Sequence, residues 1–312
     1  WSIKMKALLF PGQGSQIVGM GSEFYNNFDS VKKIFEEAND KLKFKISEII
    51  LNGPDTELKL TKNTQPAILT VSYAIFKVLQ KEFNFKLNDF KYFAGHSLGE
   101  YSALVCAEAL KFDDALYLLH ERGKAMQEAV PVGEGAMLAV LGTDSESLNQ
   151  YLEKVKKNGV CEIANDNANG QIIVSGNTKQ INELKIILKE NKIKSIQLPV
   201  SAPFHCSLMK SASEKMKEKI NSVQFSNSKF KIITNVTALP EEKPERFKSL
   251  LVEQIYSKVR WRESILYMTN NKINEFIEIG PGKVLSGLVK RINRETKSCS
   301  INSIKDVKEI TE

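Results

Sequence analysis

The sequence predicts an α/β fold, a mostly parallel sheet covered by helices on both faces, with a small ferredoxin-like subdomain inserted into it. Three observations lead there. Short apolar runs at Lys6–Phe10, 90–94, 231–235 and Glu275–Ile279 alternate with helical patterns, as strand–helix–strand units require. The first two of those runs hold one lysine and four apolar residues each, which suits strands of a sheet covered on both faces. From about residue 130 the order becomes strand, helix, strand, strand, helix, strand, the split βαβ unit of ferredoxin-like folds.

In chain order, Lys6–Phe10 is a strand and Pro11-Gly12-Gln13-Gly14-Ser15-Gln16 the loop after it. A helix is expected through Phe24 and another over 31–42. Gln65-Pro66-Ala67 opens a long apolar helix to about Leu79, with Pro66 placed in its first turn. Strand 90–94 follows, then a Gly-Ser turn and helices to about Glu128. The inserted unit is strand 136–141, helix 145–156, strands 161–165 and 172–175, helix Thr178–Glu190 and strand 195–198. The chain leaves it through Pro199-Val200-Ser201-Ala202-Pro203. Helix 208–221, strand 231–235, helix 246–257, strand Glu275–Ile279, helix 284–293 and strand 300–302 complete it. The expected division is a discontinuous large α/β domain, 1–130 with 201–312, around a small subdomain at 131–200.

Composition bounds the function classes. The 312 residues, 42% hydrophobic and 26% charged, are enough for a sizeable buried core. No run approaches the ~18 consecutive apolar residues of a membrane span. The opening Trp1-Ser2-Ile3-Lys4-Met5 lacks signal-peptide character. Because residue 1 is not Met, a processed or truncated product is expected, with any targeting segment out of view. The formal net charge of +7 is spread without a dense basic block and favours an acidic partner. No helix-turn-helix, RNP-type aromatic pattern or zinc spacing points to nucleic acid. Cys106, Cys161, Cys206 and Cys299 show no C-x-x-C or metal spacing and read as reduced thiols. The Asn235-Val236-Thr237 sequon then has no expected use.

Chemistry concentrates at Gly95-His96-Ser97-Leu98-Gly99. Strand, sharp turn and helix hold a serine hydroxyl out at a helix N-terminus, where unpaired N–H groups stabilise a developing oxyanion. Ser97 needs a base, and the chain has three histidines. His96 is the sequence neighbour, whose side chain diverges at a tight turn. His120 lies in a helical pattern. His205 sits in the Pro-containing loop at the return from the inserted unit and is the favoured base. A carboxylate third member is harder to place. Asp166 is the only tempting one, and it lies in the inserted unit; a backbone carbonyl or neutral amide can orient an imidazole instead. Gly12-Gln13-Gly14-Ser15-Gln16 fails as a dinucleotide fingerprint because Ile17 replaces the third glycine, so its better use is close backbone approach to a reacting carbonyl. Gly280-Pro281-Gly282-Lys283 lacks P-loop spacing and reads as a strand-to-helix turn.

Five segments carry a resemblance: Phe10-Pro11-Gly12-Gln13-Gly14-Ser15-Gln16, Gly95-His96-Ser97-Leu98-Gly99-Glu100-Tyr101, Arg122-Gly123-Lys124-Ala125-Met126-Gln127, Pro203-Phe204-His205 and Glu278-Ile279-Gly280-Pro281-Gly282. In order, from about residue 6 to 303, they resemble the malonyl-CoA:acyl carrier protein transacylases of type II fatty acid synthesis. The resemblance implies a hydrolase-like core with a ferredoxin-like insertion. It implies Ser97 as the nucleophile that carries the malonyl ester and His205 as general base, then acid. It implies Gln13 and Leu98 N–H groups as the oxyanion hole, Arg122 as the partner of the malonyl carboxylate, and Gln254, through its backbone carbonyl, as the group that orients the histidine. A guanidinium suits a carboxylate independently, since it grips both oxygens in parallel. Phe204 stands where some bacterial members carry Ser and is expected to narrow the space beside the substrate α-carbon.

The implied reaction is ping-pong transfer from malonyl-CoA to the phosphopantetheine thiol of an acidic acyl carrier protein. The expectation includes no metal or redox cofactor, no nucleic acid, no membrane, and a monomer. A plastid-like organelle of the apicoplast type is the expected compartment, with a bacterial cytoplasm as the alternative. The rival reading is a serine thioesterase or other hydrolase with the same turn.

Overall fold

The computed structural model describes residues 5–312, so the expectation for the chain's first four residues lies outside the described residues. β1 (Lys6–Phe10) lies inside a six-stranded sheet and shows why four of its five residues are apolar. Its side chains alternate between faces: Leu8 and Phe10 join one core, Ala7 and Leu9 another. Both faces are covered by helices, so neither set of positions tolerates a polar side chain.

After β1 come α1 (Ser22–Asn27), α2 (Asp29–Leu42), α3 (Ile46–Asn52), α4 (Asp55–Leu58) and α5 (Thr61–Glu82). β2 (Phe90–Gly95), α6 (Gly99–Cys106) and α7 (Phe112–Glu128) follow. The next stretch is β3 (Gly135–Leu141), α8 (Ser145–Val155), β4 (Cys161–Ala168), β5 (Gln171–Asn177), α9 (Thr178–Glu190) and β6 (Ser195–Gln197). The chain returns through α10 (Lys210–Ser222), β7 (Lys231–Ile233), β8 (Pro240–Glu241), α11 (Pro244–Gln254), α12 (Trp261–Asn270) and β9 (Glu275–Ile279). It ends in α13 (Val284–Ile292), β10 (Lys297–Ile301) and α14 (Ile304–Thr311).

The large sheet runs β10-β9-β1-β2-β7-β8 and is parallel except for the β7–β8 pair. β1, β2 and β9 therefore end at the same edge, where α/β sheets place their ligands. The loop holding Gln13, the turn at Ser97 and Gly280-Pro281-Gly282 all leave from that edge. The second sheet, β4-β5-β3-β6, is antiparallel throughout and encloses its own core of Leu138, Val140, Leu148, Leu152, Val174 and Leu184. It is latched to the rest by backbone bonds: Val259 N–H donates to the Ala164 carbonyl (2.8 Å) and Asp166 N–H to the Val259 carbonyl (3.0 Å).

Several elements depart from expectation. The helix expected through Phe24 is a series of turns followed by α1, because Gly19 and Gly21 adopt φ of 92° and 75°. α5 starts at Thr61, so Pro66 is inside the helix and not in its first turn. The missing Pro66 N–H leaves the Lys62 carbonyl unbonded within the helix. His120 Nδ1 from α7 takes it at 3.0 Å. β4 runs on through Asn165-Asp166-Asn167, poor strand formers, by means of two register shifts against β5. β7 stops at Ile233, which leaves Asn235 free of the ladder. α3, α4, α12 and α14 were not expected. Of these α12 had a readable signal, since Trp261, Ile265 and Met268 fall at helical spacing and are buried.

Candidate active site

The turn after β2 explains its two glycines by contact. A Cβ on Gly95 would overlap the Gly99 carbonyl, and one on Gly99 would overlap the Phe10 carbonyl of β1. Ser97 adopts φ 55°, a left-handed conformation that a non-glycine residue keeps only under constraint. Its Oγ stands 2.7 Å from His205 Nε2. The Gln254 carbonyl, at 2.9 Å, is an obligate acceptor, so His205 Nδ1 carries the proton and Nε2 is left bare to accept from the serine hydroxyl. Burial, then the charge of Arg122, lowers the His205 pKa to about 3, which keeps the ring neutral.

Arg122, on α7, is 1% exposed. Its Nη1 donates to Gln65 Oε1 (2.7 Å), and its Nη2 donates to Gln254 Oε1 (2.8 Å) and Ser97 Oγ (3.1 Å). Nε has no hydrogen-bond partner among the described residues, and the guanidinium lies 5.7 Å from the Tyr101 ring centre. Every acceptor it holds is neutral. A buried cation without a paired carboxylate is costly, and the arrangement suits an incoming anion at Ser97.

Ser97, His205 and Arg122 line one cavity of about 390 Å³, together with Gln13, Gln65, His96 and Phe204. Among the described residues no acceptor takes the backbone N–H of Gln13 or Leu98, although Leu98 does not line the cavity. His96 Nε2 donates to Asn167 Oδ1 at 2.7 Å, and both residues line the cavity. His120 caps the α5 carbonyl described above. Asp166 is engaged by Arg262 through three contacts of 2.8–3.1 Å, and among the described residues it makes no hydrogen bond to His205. Glu121, the residue before Arg122, pairs with Lys219 at 3.3 Å. All four cysteines are free, and among the described residues no group of three His, Cys, Asp or Glu is placed to hold a metal ion. Nor is any described helix long and apolar enough to cross a membrane.

Sequence reasoning missed three buried residues here. Gln65 holds the guanidinium. Glu100 Oε1 accepts from the Asn235 N–H (2.6 Å), and burial pushes its carboxyl up to about 7. Asn235 Oδ1 accepts from the Ser97 N–H (2.8 Å). Their partners lie far away in sequence, so no local pattern exposes them.

A serine at a strand-to-helix turn, a neutral buried histidine against it and a poised cation define the acyl-transfer class of α/β proteins. The model of the acyl transferase domain matches residues 7–310, and the chain belongs to that family. It is 47% identical over 298 residues to a malonyl CoA-acyl carrier protein transacylase of Bacillus subtilis (strain 168), covering 95% of this chain and 93% of the relative. The crystal structure of an acyl-carrier-protein S-malonyltransferase from Bartonella henselae superposes with a TM-score of 0.95 at 42% identity, over 98% of each chain. A malonyl-transacylase in complex with a type II polyketide acyl carrier protein superposes with a TM-score of 0.93 at 38% identity, over 97% of each chain.

Proposed function

We propose that this chain transfers the malonyl group of malonyl-CoA to the phosphopantetheine thiol of an acyl carrier protein, for fatty acid chain elongation, through an ester on Ser97. The carrying observation is a buried arginine that no carboxylate pairs with, 3.1 Å from a serine hydroxyl that is itself 2.7 Å from a neutral histidine. A malonyl ester on Ser97 puts its free carboxylate one methylene beyond the ester carbonyl, within the reach of such a guanidinium.

Ser97 Oγ attacks the thioester carbonyl while its proton passes to His205 Nε2. The N–H groups of Leu98 and Gln13 hold the oxyanion, and Arg122 holds the carboxylate. Collapse breaks the C–S bond, and the departing CoA sulfur takes the proton from Nε2. The carrier thiol then gives its proton to Nε2, attacks the ester and releases Ser97 Oγ, which recovers the proton. Gln254 keeps the imidazole in the required tautomer throughout. No step calls for a metal or redox group.

The acyl carrier protein seated on the similar transacylase, and the +7 charge of this chain against an acidic carrier, support the partner. The antiparallel order β4-β5-β3-β6 supports reading 131–200 as a ferredoxin-like insertion in a hydrolase-like domain of 1–130 and 201–312. A monomer is the working form. The bacterial sources of the relatives favour the bacterial alternative for the compartment and lend the plastid-like one no support.

The test is to incubate the protein with malonyl-CoA, digest it, and find the malonyl group on the Ser97 peptide by mass spectrometry. Ser97→Ala is expected to carry none. A hydrolase would instead release free malonate with no carrier present, and malonate release as fast as carrier loading would replace this reading with that one.

A further inference from the structure

We propose that Asn235 is the positioning residue of the nucleophile, gripping the turn on both sides of His96 so that Ser97 Oγ is held on His205. The proposal rests on Ser97 being the acylated residue. The Asn235 side chain reaches the turn from the neighbouring strand. β7 pairs with β2 in the register Ala94↔Ile233, so the chain leaving β7 passes beside the turn leaving β2. Asn235 Nδ2 donates to the Gly95 carbonyl (2.7 Å), and Oδ1 accepts from the Ser97 N–H (2.8 Å). One planar amide thus spans the carbonyl before the turn and the N–H at its apex.

That grip explains how Ser97 keeps φ 55°. A left-handed non-glycine residue persists only where its surroundings over-determine it. Here the buried Gly95 carbonyl and the part-buried Ser97 N–H would lose their partner if the backbone relaxed. Asn235 is itself anchored through its backbone. It is fully buried, its N–H donates to Glu100 Oε1 (2.6 Å), and its carbonyl accepts from the Arg260 N–H (3.0 Å).

The same Oδ1 accepts from Gln254 Nε2 at 3.2 Å. Gln254 holds His205 through its carbonyl and Arg122 through its side-chain oxygen. Asn235 therefore fixes the nucleophile and the group that orients its two partners, while touching no reacting atom. Because it occupies the Ser97 N–H, that donor is withheld from the oxyanion, which is left to Leu98 and the Gln13 loop. The sequon Asn235-Val236-Thr237 acquires a use unrelated to glycosylation, since both side-chain polar atoms are engaged in the interior.

The test measures the single-turnover rate at which malonyl-CoA acylates Ser97, by quench and mass spectrometry, in wild type, Asn235→Ala and Asn235→Asp. Leu184→Ala, in the core of the second sheet, is the control for general destabilisation. For Asn235→Ala the acylation rate is expected to fall about 10- to 100-fold while KM for malonyl-CoA changes little, the pattern of lost positioning. Leu184→Ala is expected to lose stability but keep the rate. Asn235→Asp separates grip from fold: a protonated Asp can donate to the Gly95 carbonyl and accept from Ser97, whereas an ionised one cannot donate. Its rate relative to wild type is therefore expected to rise as pH falls from about 8 to about 5.5. An Asn235→Ala rate equal to wild type, or an Asn235→Asp ratio flat with pH should the alanine variant not fold, overturns the proposal. A wild type that never labels on Ser97 overturns the functional reading instead, so the two failures are distinct.

Discussion

At Arg122 the physics of one residue sets the choice of acyl group. Its donors rest on the neutral oxygens of Gln65, Gln254 and Ser97, so a carboxylate entering the cavity meets a desolvated cation already oriented. Hydrogen bonds to charged groups contribute about 1.5–3 kcal/mol each, so losing a two-pronged grip costs about 100-fold or more in malonyl transfer. Arg122→Ala is expected to show that loss in kcat/KM for malonyl-CoA, while acetyl loading of Ser97 falls less or rises. Equal losses for both acyl groups would argue against the clamp. Phe204, 8% exposed on the cavity wall, is expected to narrow the space beside the α-carbon instead. Phe204→Ser is expected to raise methylmalonyl loading relative to malonyl. His205 makes a third statement at this scale. Held neutral down to about 3 by burial, it gives no acid limb near the ordinary histidine value in the pH dependence of acylation. Glu100, titrating at about 7 behind Asn235, is the group expected to set any limb there. Glu100→Gln is expected to remove that limb, and its persistence would assign it to His205.

Among the elements, α7 is held against the start of α5 by contacts that leave no slack. A Cβ on Gly123 would sit 2.6 Å from both Lys62 Cα and the Thr61 carbonyl. Both are backbone atoms and cannot swing aside, and the Lys62 carbonyl is also the one Pro66 frees for His120. Gly123→Ala is expected to cost about 1–3 kcal/mol of stability. Because Arg122 is the preceding residue, a displaced α7 also raises KM for malonyl-CoA; melting temperature and steady-state kinetics read the two effects separately. This contact marks the boundary of what the sequence revealed. The glycines around Ser97 announce a turn because backbone torsion is a local property, and three histidines are few enough to sort by context. Short apolar runs alternating with helical patterns announce a parallel sheet for the same reason. Pro66 suggested a helix start, since nothing nearby says that a carbonyl it orphans is met by a histidine 58 residues on. Asn235 read as a sequon because its partner Ser97 is 138 residues away. Tertiary hydrogen bonds of that span leave no trace in local pattern.

For the molecule as a whole, burial of four ionisable groups, Glu100, Glu278, His205 and His96, sets how stability follows pH. Burial raises Glu100 to about 7, and Glu278 also to about 7, against hydrogen bonds that oppose the shift. Glu278 is the last acid of β9, and it accepts from the Leu285 and Ser286 N–H groups, capping α13 from the strand, where the N-cap Lys283 has no cap of its own. A raised carboxyl favours the folded state when protonated, so this stabilisation is complete below the ordinary carboxylate value and is lost as pH rises through about 7. His205 acts oppositely: lowered to about 3, it stabilises above the ordinary histidine value and loses that stabilisation as pH falls. Between about pH 8 and about pH 5.5 each carboxyl gains about 2 kcal/mol while His205 loses about 1 kcal/mol and His96, also lowered by burial, loses stabilisation in the same sense, so acidification stabilises by about 1–3 kcal/mol net. Asp144, Glu241 and Glu263, all lowered, reverse the trend only below the ordinary carboxylate range. The melting temperature is therefore expected to rise by a few degrees from about pH 8 to about pH 5.5. Glu278→Gln cannot titrate, and with it the larger part of that rise is expected to vanish while Ser97 still labels with malonyl at either pH. A wild-type melting temperature that is flat or falls over the same interval would mean that the two carboxyls are ionised in the folded core, held there by their backbone N–H partners more strongly than burial disfavours their charge.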